Sequence, residues 1–145
     1  MPQSISIARY LARQFKLSGK DDFESAQCDV IVDTMNEINE AYYRAWFHIS
    51  DEKQKELEQT KFKVDFLPLK LKGLETLVNT YGNGTWAVGK DVTWTDLYLY
   101  DSIENVLKLN EQALDDFPTL KKNREAVEKL PKIAEYLANR KATSF

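Results

Sequence analysis

Cysteine and histidine are almost missing from this chain of 145 residues: Cys28 and His48 are the only ones. A single cysteine excludes an internal disulfide and fits a reducing compartment. One histidine beside one cysteine excludes a His-rich or Cys-rich metal cage within one chain, so no metal site is expected. Glycine and proline are scarce as well, five and four. Few turns are therefore signalled and the segments between them are long, which favours helices over strands. No basic block stands out among 20 basic and 23 acidic residues, so the chain carries no electrostatic footprint for nucleic acid. No apolar run approaches membrane-spanning length, and no charged-then-apolar leader opens the sequence; the expectation is a soluble cytoplasmic protein with no membrane partner. What is present is globular: 43% hydrophobic and 30% charged residues with a net charge of −3, enough for one domain with a sizeable core.

The opening stretch turns amphipathic almost at once. Ile5, Ala8, Leu11, Ala12 and Phe15 recur at helical spacing. Ser4 stands where an N-cap belongs, and Ser18-Gly19 supplies a C-terminal glycine, so the first helix is predicted over Ser4 to Leu17. Asp21 is predicted to cap a second helix with Glu24 as its capping-box partner. Its apolar positions run Phe23, Ala26, Val30, Ile31, Met35, Ile38, Tyr42, Ala45 and Ile49, and the opposite face carries Asp29, Asp33, Asn36, Glu37 and Glu40. A third helix is predicted from Ser50, with Leu57, Val64, Leu67, Leu71, Leu74, Val78 and Tyr81 as its stripe. Pro68 falls inside that stripe and predicts a kink or break. Gly82-Asn83-Gly84 reads as a turn.

The next stretch, TWAVGKDVTWTDLYLYD, contains a helix start written twice over. Thr93 and Asp96 form a capping box, and Val92 with Leu97 a hydrophobic staple. The helix that follows is apolar on nearly all sides, so it is expected to be central, with Asp96 and Asp101 as buried carboxylates in need of donors. Two shorter helices start near Pro118 and Pro131. The fold class is all-α, a bundle of six or seven helices.

Three segments, PQSISIARYLARQF, GKDVTWTDLYLYD and FPTLKKNREAVEKLPKIAEYLANR, together resemble cytosolic glutathione transferases, the sigma class most closely. The stretch LSGKDDFESAQCDVIVDTMNEI resembles the linker and first long helix of that class in invertebrates, so the likeness covers essentially the whole chain. It implies that residues 1–17 are the last helix of a thioredoxin-like N-terminal domain and residues 18–145 the all-α C-terminal domain. It also implies that roughly 60 residues of the thioredoxin-like unit lie outside this sequence.

The resemblance assigns roles by position. Gln3 and Ser4 would hold the γ-glutamyl end of glutathione, a use compatible with capping the first helix. Glu37 stands where the family usually has an aspartate that reaches the γ-glutamyl amine in the neighbouring subunit of a homodimer; read without the family, it belongs to a solvated helix face. Tyr43, Phe47, Tyr98, Ser102 and Phe145 fall at positions that line the pocket for a hydrophobic electrophile, though aromatic residues at such spacing also serve as core. Asp33, Asn36 and Glu37 share one helix face where some prostaglandin D synthases of this class bind a divalent ion; the asparagine removes one of the charges that a hard cation favours.

The implied reaction is attack of the glutathione thiolate on a hydrophobic electrophile, with glutathione as co-substrate. The implied thiol-activating tyrosine belongs to the segment outside this sequence and none of the seven tyrosines here matches it. No catalytic residue is therefore expected in this chain, and the chain alone is expected to be inactive. A non-catalytic truncated isoform or a helical interaction module is the alternative.

Overall fold

The computed structural model describes residues 2–141. Among them the backbone forms seven α-helices, one π-helical segment and no strand, in the order α1 (Ser4–Gln14), α2 (Asp22–Phe47), α3 (Glu52–Lys61), the π-helical segment (Phe62–Phe66), α4 (Leu67–Tyr81), α5 (Trp94–Leu109), α6 (Pro118–Glu128) and α7 (Pro131–Asn139). The long helix α2 packs on both α4 and α5; α6 closes over α4 and α5, α1 rests on α5, and α7 on α6. Ile31, Met35 and Ile38 from α2, Leu71, Leu74 and Val78 from α4, Leu99 and Ile103 from α5 and Leu120 from α6 are fully buried and form the centre of the core. That set reproduces the helical spacing read from the sequence.

The first helix ends differently from expectation. Phe15 is the C-cap and Lys16 takes the left-handed conformation at φ 58°. The Lys16 N–H bonds to Arg13 O and the Leu17 N–H to Ala12 O, which is the Schellman pattern with lysine where glycine is usual. Gly19 serves a close approach instead. Its φ is 91°, and an added Cβ would lie 2.7 Å from Glu24 Cβ. At the start of the helix, Ser4 is the first helical residue rather than the cap. Gln3 holds the cap position at φ 75° and makes no side-chain capping bond.

Asp21 caps α2 as expected, accepting from the Glu24 N–H at 2.8 Å. Glu24 reaches one residue further back than a capping box requires and accepts from the Lys20 N–H at 2.9 Å and from Lys20 Nζ at 2.6 Å. The third predicted helix is two helices joined by a π turn, and it starts at Glu52, capped by Asp51, rather than at Ser50. Pro68 is the second residue of α4, directly after the π turn, where the i to i−4 ladder is already interrupted. The wider π turn rotates the apolar face. Phe62 and Leu67 become buried, while Leu57 and Val64 of the predicted stripe are 53% and 66% exposed.

Helix α5 is central and starts on the expected capping box. Asp96 is buried, but Asp101 is exposed, so the expectation of a second buried carboxylate on α5 fails. The N-terminus of α6 has no cap of its own. Glu75 of α4 supplies one, accepting from the Thr119 and Leu120 N–H groups at 2.9 Å each.

Candidate functional site

Two clusters of polar and aromatic side chains stand out, one at the start of α5 and one along the C-terminal half of α2. The first is closed. Asp96 is 0% exposed. Its Oδ2 accepts from the Thr93 N–H at 2.7 Å and the Thr93 hydroxyl at 2.9 Å; its Oδ1 accepts from the Ala87 N–H at 2.7 Å and Asn123 Nδ2 at 2.6 Å. Asn123 also donates to Thr85 O at 2.9 Å. One carboxylate thus pins the 82–93 loop, the start of α5 and helix α6 together. Burial pushes the Asp96 carboxyl above its ordinary value, against the pull of these four donors. The Trp94 N–H bonds to Leu17 O at 2.9 Å, which joins this cluster to the end of α1.

The second cluster is open. Tyr43 and Phe47, one turn apart on α2, are 47% and 67% exposed, with ring centroids 6.0 Å apart. With Glu40, Arg44 and His48 they line an open groove of about 640 Å³. Tyr42, whose ring meets those of Tyr43 and Phe47 at 5.5 and 6.2 Å, stacks on Trp46 at 4.7 Å, and Trp46 meets Phe62 edge-on at 5.5 Å, so the groove rings are backed by aromatic packing. The helices bring Tyr98 and Ser102 of α5 to the same side of α2. Asn39 Nδ2 donates to the Ser102 hydroxyl at 3.0 Å and to the Tyr98 hydroxyl at 3.4 Å. Burial raises the Tyr98 phenol above its ordinary value. Asn39 was not among the residues singled out from the sequence. No local pattern marks it, because its partners lie 59 and 63 residues away.

Glu37 is exposed on α2 and is engaged by Lys70 of α4, whose ammonium also sits over the Phe66 ring. Asp33 and Asp29 are held by Arg9 of α1 at 3.7 and 2.8 Å, and Asn36 is hydrogen-bonded to Glu40 at 2.8 Å. The acidic face of α2 is therefore partnered residue by residue with α1, with α4 and with itself. Gln3 and Ser4 are exposed at the start of α1; no hydrogen bond joins their side chains to the α2 cluster among the described residues. Phe145 lies outside the described residues. His48 is exposed at the C-cap of α2 and Cys28 is buried. Among the described residues no group of three or more His, Cys, Asp or Glu is arranged to hold a metal ion, and no helix is long and apolar enough to cross a membrane.

Residues 36–140 match the family described as Glutathione S-transferase, C-terminal domain. Hematopoietic prostaglandin D synthase of Gallus gallus is 36% identical over 147 residues, covering 99% of this chain and 69% of that protein. The solved structure of rat hPGDS complexed with a quinoline superposes with a TM-score of 0.88 at 28% identity, covering all of this chain and 70% of that one. A sigma class transferase of Fasciola hepatica superposes at 0.85 with 27% identity, over all of this chain and 69% of that one. The family match over residues 36–140 and the likeness of these relatives over the chain's length leave one assignment: the chain belongs to the glutathione S-transferase family, by its all-α C-terminal domain, among relatives of the sigma class.

Proposed function

We propose that this chain supplies the electrophile-binding half of a glutathione transferase. The observation that carries the reading is the open aromatic groove of Tyr43 and Phe47, 47% and 67% exposed, lined also by Glu40, Arg44 and His48; Tyr98 and the buried Ser102 of α5 meet α2 at Asn39, one turn before Tyr43. Large apolar rings left in contact with water, with a few polar groups close by, are what a lipophilic ligand needs. A relative of known structure, rat hPGDS, holds a quinoline, a flat aromatic molecule of the kind such a groove accommodates.

Glutathione is the proposed co-substrate. The start of α1 offers first-turn N–H groups that no side chain caps, a setting that favours a carboxylate. In this reading Gln3 and Ser4 hold the γ-glutamyl carboxylate, and Glu37 meets the γ-glutamyl amine across a homodimer, which requires Lys70 to share or release it. Residues 1–17 are read as the last helix of a thioredoxin-like domain and 18–145 as the electrophile domain, in a cytoplasmic protein.

The protein's part in the reaction is to lower the thiol pKa and to position the electrophile. This chain does the positioning, and no residue in it is assigned to activate the thiol. The test uses glutathione and 1-chloro-2,4-dinitrobenzene. The 145-residue chain alone is expected to give no turnover above the uncatalysed rate. Joined behind the thioredoxin-like domain of a sigma-class relative, it is expected to turn over, and Tyr43→Ser with Phe47→Ser to raise KM for the chloronitrobenzene and leave glutathione affinity unchanged. Unchanged KM would overturn the reading.

A further inference from the structure

A second recess opens on another face of α2 from the groove. Ala41 and Ala45 stand one turn apart there, with Ile49 one turn further. The π turn contributes Phe62 and Phe66, whose rings stack at 5.9 Å. These five side chains and Arg44 line a cavity of about 220 Å³. Alanine carries nothing beyond Cβ, so two alanines on one helix face leave room where larger side chains would fill the contact. Ala45 and Phe62 are buried, whereas Ala41, Ile49 and Phe66 stay in partial contact with water. An apolar cavity of about 150 Å³ holds one benzene ring, and drug-sized ligands occupy about 300 Å³ or more. The recess is therefore the size of a single ring.

Its charge is carried by one residue. The cations around the two phenylalanines are mostly committed. Lys61 is paired with Glu58 at 2.7 Å, Lys63 lies over the Trp46 ring at 5.6 Å, and Lys70 is engaged by Glu37 and lies over the Phe66 ring. Arg44 differs. Among the described residues its guanidinium takes part in no ion pair, and it lies over no aromatic ring. Glu40, one turn before it on α2, accepts from Asn36 at 2.8 Å instead. Glu58, the one carboxylate that lines the recess, is neutralised by Lys61. A guanidinium does not lose its proton in a protein, and its planar fork matches the two oxygens of a carboxylate.

We propose that this recess is a second ligand site, which binds a single-ring aromatic carboxylate with the ring against Ala41, Ala45, Phe62 and Phe66 and the carboxylate on Arg44. Its lining shares Arg44 alone with the open groove of Tyr43 and Phe47. The site therefore goes beyond the electrophile reading and stands or falls without it.

Benzoate and benzamide, alike in shape and different in charge, are the probes. Amide chemical shifts of the chain titrated with each give both the place and the affinity. Benzoate is expected to move residues 41–49 of α2 and residues 58–66, and to bind about fivefold tighter than benzamide, the worth of one solvent-exposed charge-assisted hydrogen bond. Arg44→Gln is expected to abolish that preference and leave benzamide binding in place. Ala41→Leu, which fills the recess from a half-exposed position, is expected to weaken both probes about tenfold while the signals of the Asp96 cluster stay unmoved. Tyr43→Ser, confined to the groove, is expected to leave both affinities unchanged. Equal binding of the two probes, or a preference that survives Arg44→Gln, overturns the carboxylate contact. Shifts centred on Tyr43 and Phe47, affinity lost in Tyr43→Ser, affinity unaffected by Ala41→Leu, or no shift with benzoate in large excess overturns the site.

Discussion

The start of α5 and the end of α2 are built from the same kinds of residue, and they use them oppositely. At α5, Trp94 is 5% exposed and Asp96 0%, and the two oxygens of the carboxylate between them take four donors, from Ala87, Thr93 and Asn123. At α2, Tyr43 and Phe47 present their rings to water and the carboxylates of Glu37 and Glu40 lie on the surface. Removing a buried acceptor leaves several donors without water or partner, whereas removing an exposed ring loses little that the fold depends on. The contrast separates a region that holds the bundle together from one that the bundle holds out.

Breaking the closed cluster has the largest expected effect. Asp96→Ala orphans the Ala87 and Thr93 N–H groups and takes one of the two acceptors of Asn123 Nδ2, and is expected to cost on the order of 3 kcal/mol in urea unfolding. A midpoint within experimental error of the parent would show that the cluster is not closed.

Two carboxylates sharpen the comparison through pH, because they run in opposite directions. Burial raises Asp96 in the fold, so its contribution is fullest below the ordinary carboxylate range and is lost as pH rises through its folded value. Glu24 is lowered, first by the hydrogen bond from Lys20, so its contribution is present above the ordinary range and is lost as pH falls through its folded value. On acidification the parent is therefore expected to gain stability relative to Asp96→Asn and to lose it relative to Glu24→Gln. Thermal melts of the three proteins across neutral and acid pH check the signs; parallel curves would refute both.

A third open surface lies on α1, where Ile7, Tyr10, Leu11 and Phe15 are 38%, 53%, 45% and 70% exposed. Apolar surface of this kind drives association. The chain is expected to sediment with a mass that rises with concentration, and Tyr10→Ser with Phe15→Ser to reduce that rise. A monomer at every concentration would contradict the expectation. The smallest effect on stability belongs to the groove: Tyr43→Ser and Phe47→Ser are each expected to change unfolding by about 0.5 kcal/mol or less.

The two regions also differ in how well the sequence announces them. Thr93 and Asp96 lie three residues apart, so the capping box is a local pattern and the structure forms it. The other donors to Asp96 come from Ala87 and from Asn123, nine and 27 residues away, and packing alone brings them together. Asn39 escaped for the same reason. The end of α1 was misplaced because glycine is the usual left-handed residue and here Lys16 takes that conformation, with the Schellman bonds holding it. Leu57 and Val64 fit a continuous helical period, which a π turn interrupts; one extra residue per turn moves a side chain to another face, and Pro68 signalled the break without giving its form.

The proposed role of the open face of α2 and the facing turns of α5 is to receive a hydrophobic electrophile. Amide chemical shifts of the chain titrated with 1-chloro-2,4-dinitrobenzene test it most directly. Perturbations are expected to be confined to residues 39–47 of α2 with His48 at its C-cap, and to residues 98–102 of α5, with the Asp96 cluster unmoved. Perturbations centred on the α1 face, or none at saturating ligand, would contradict it.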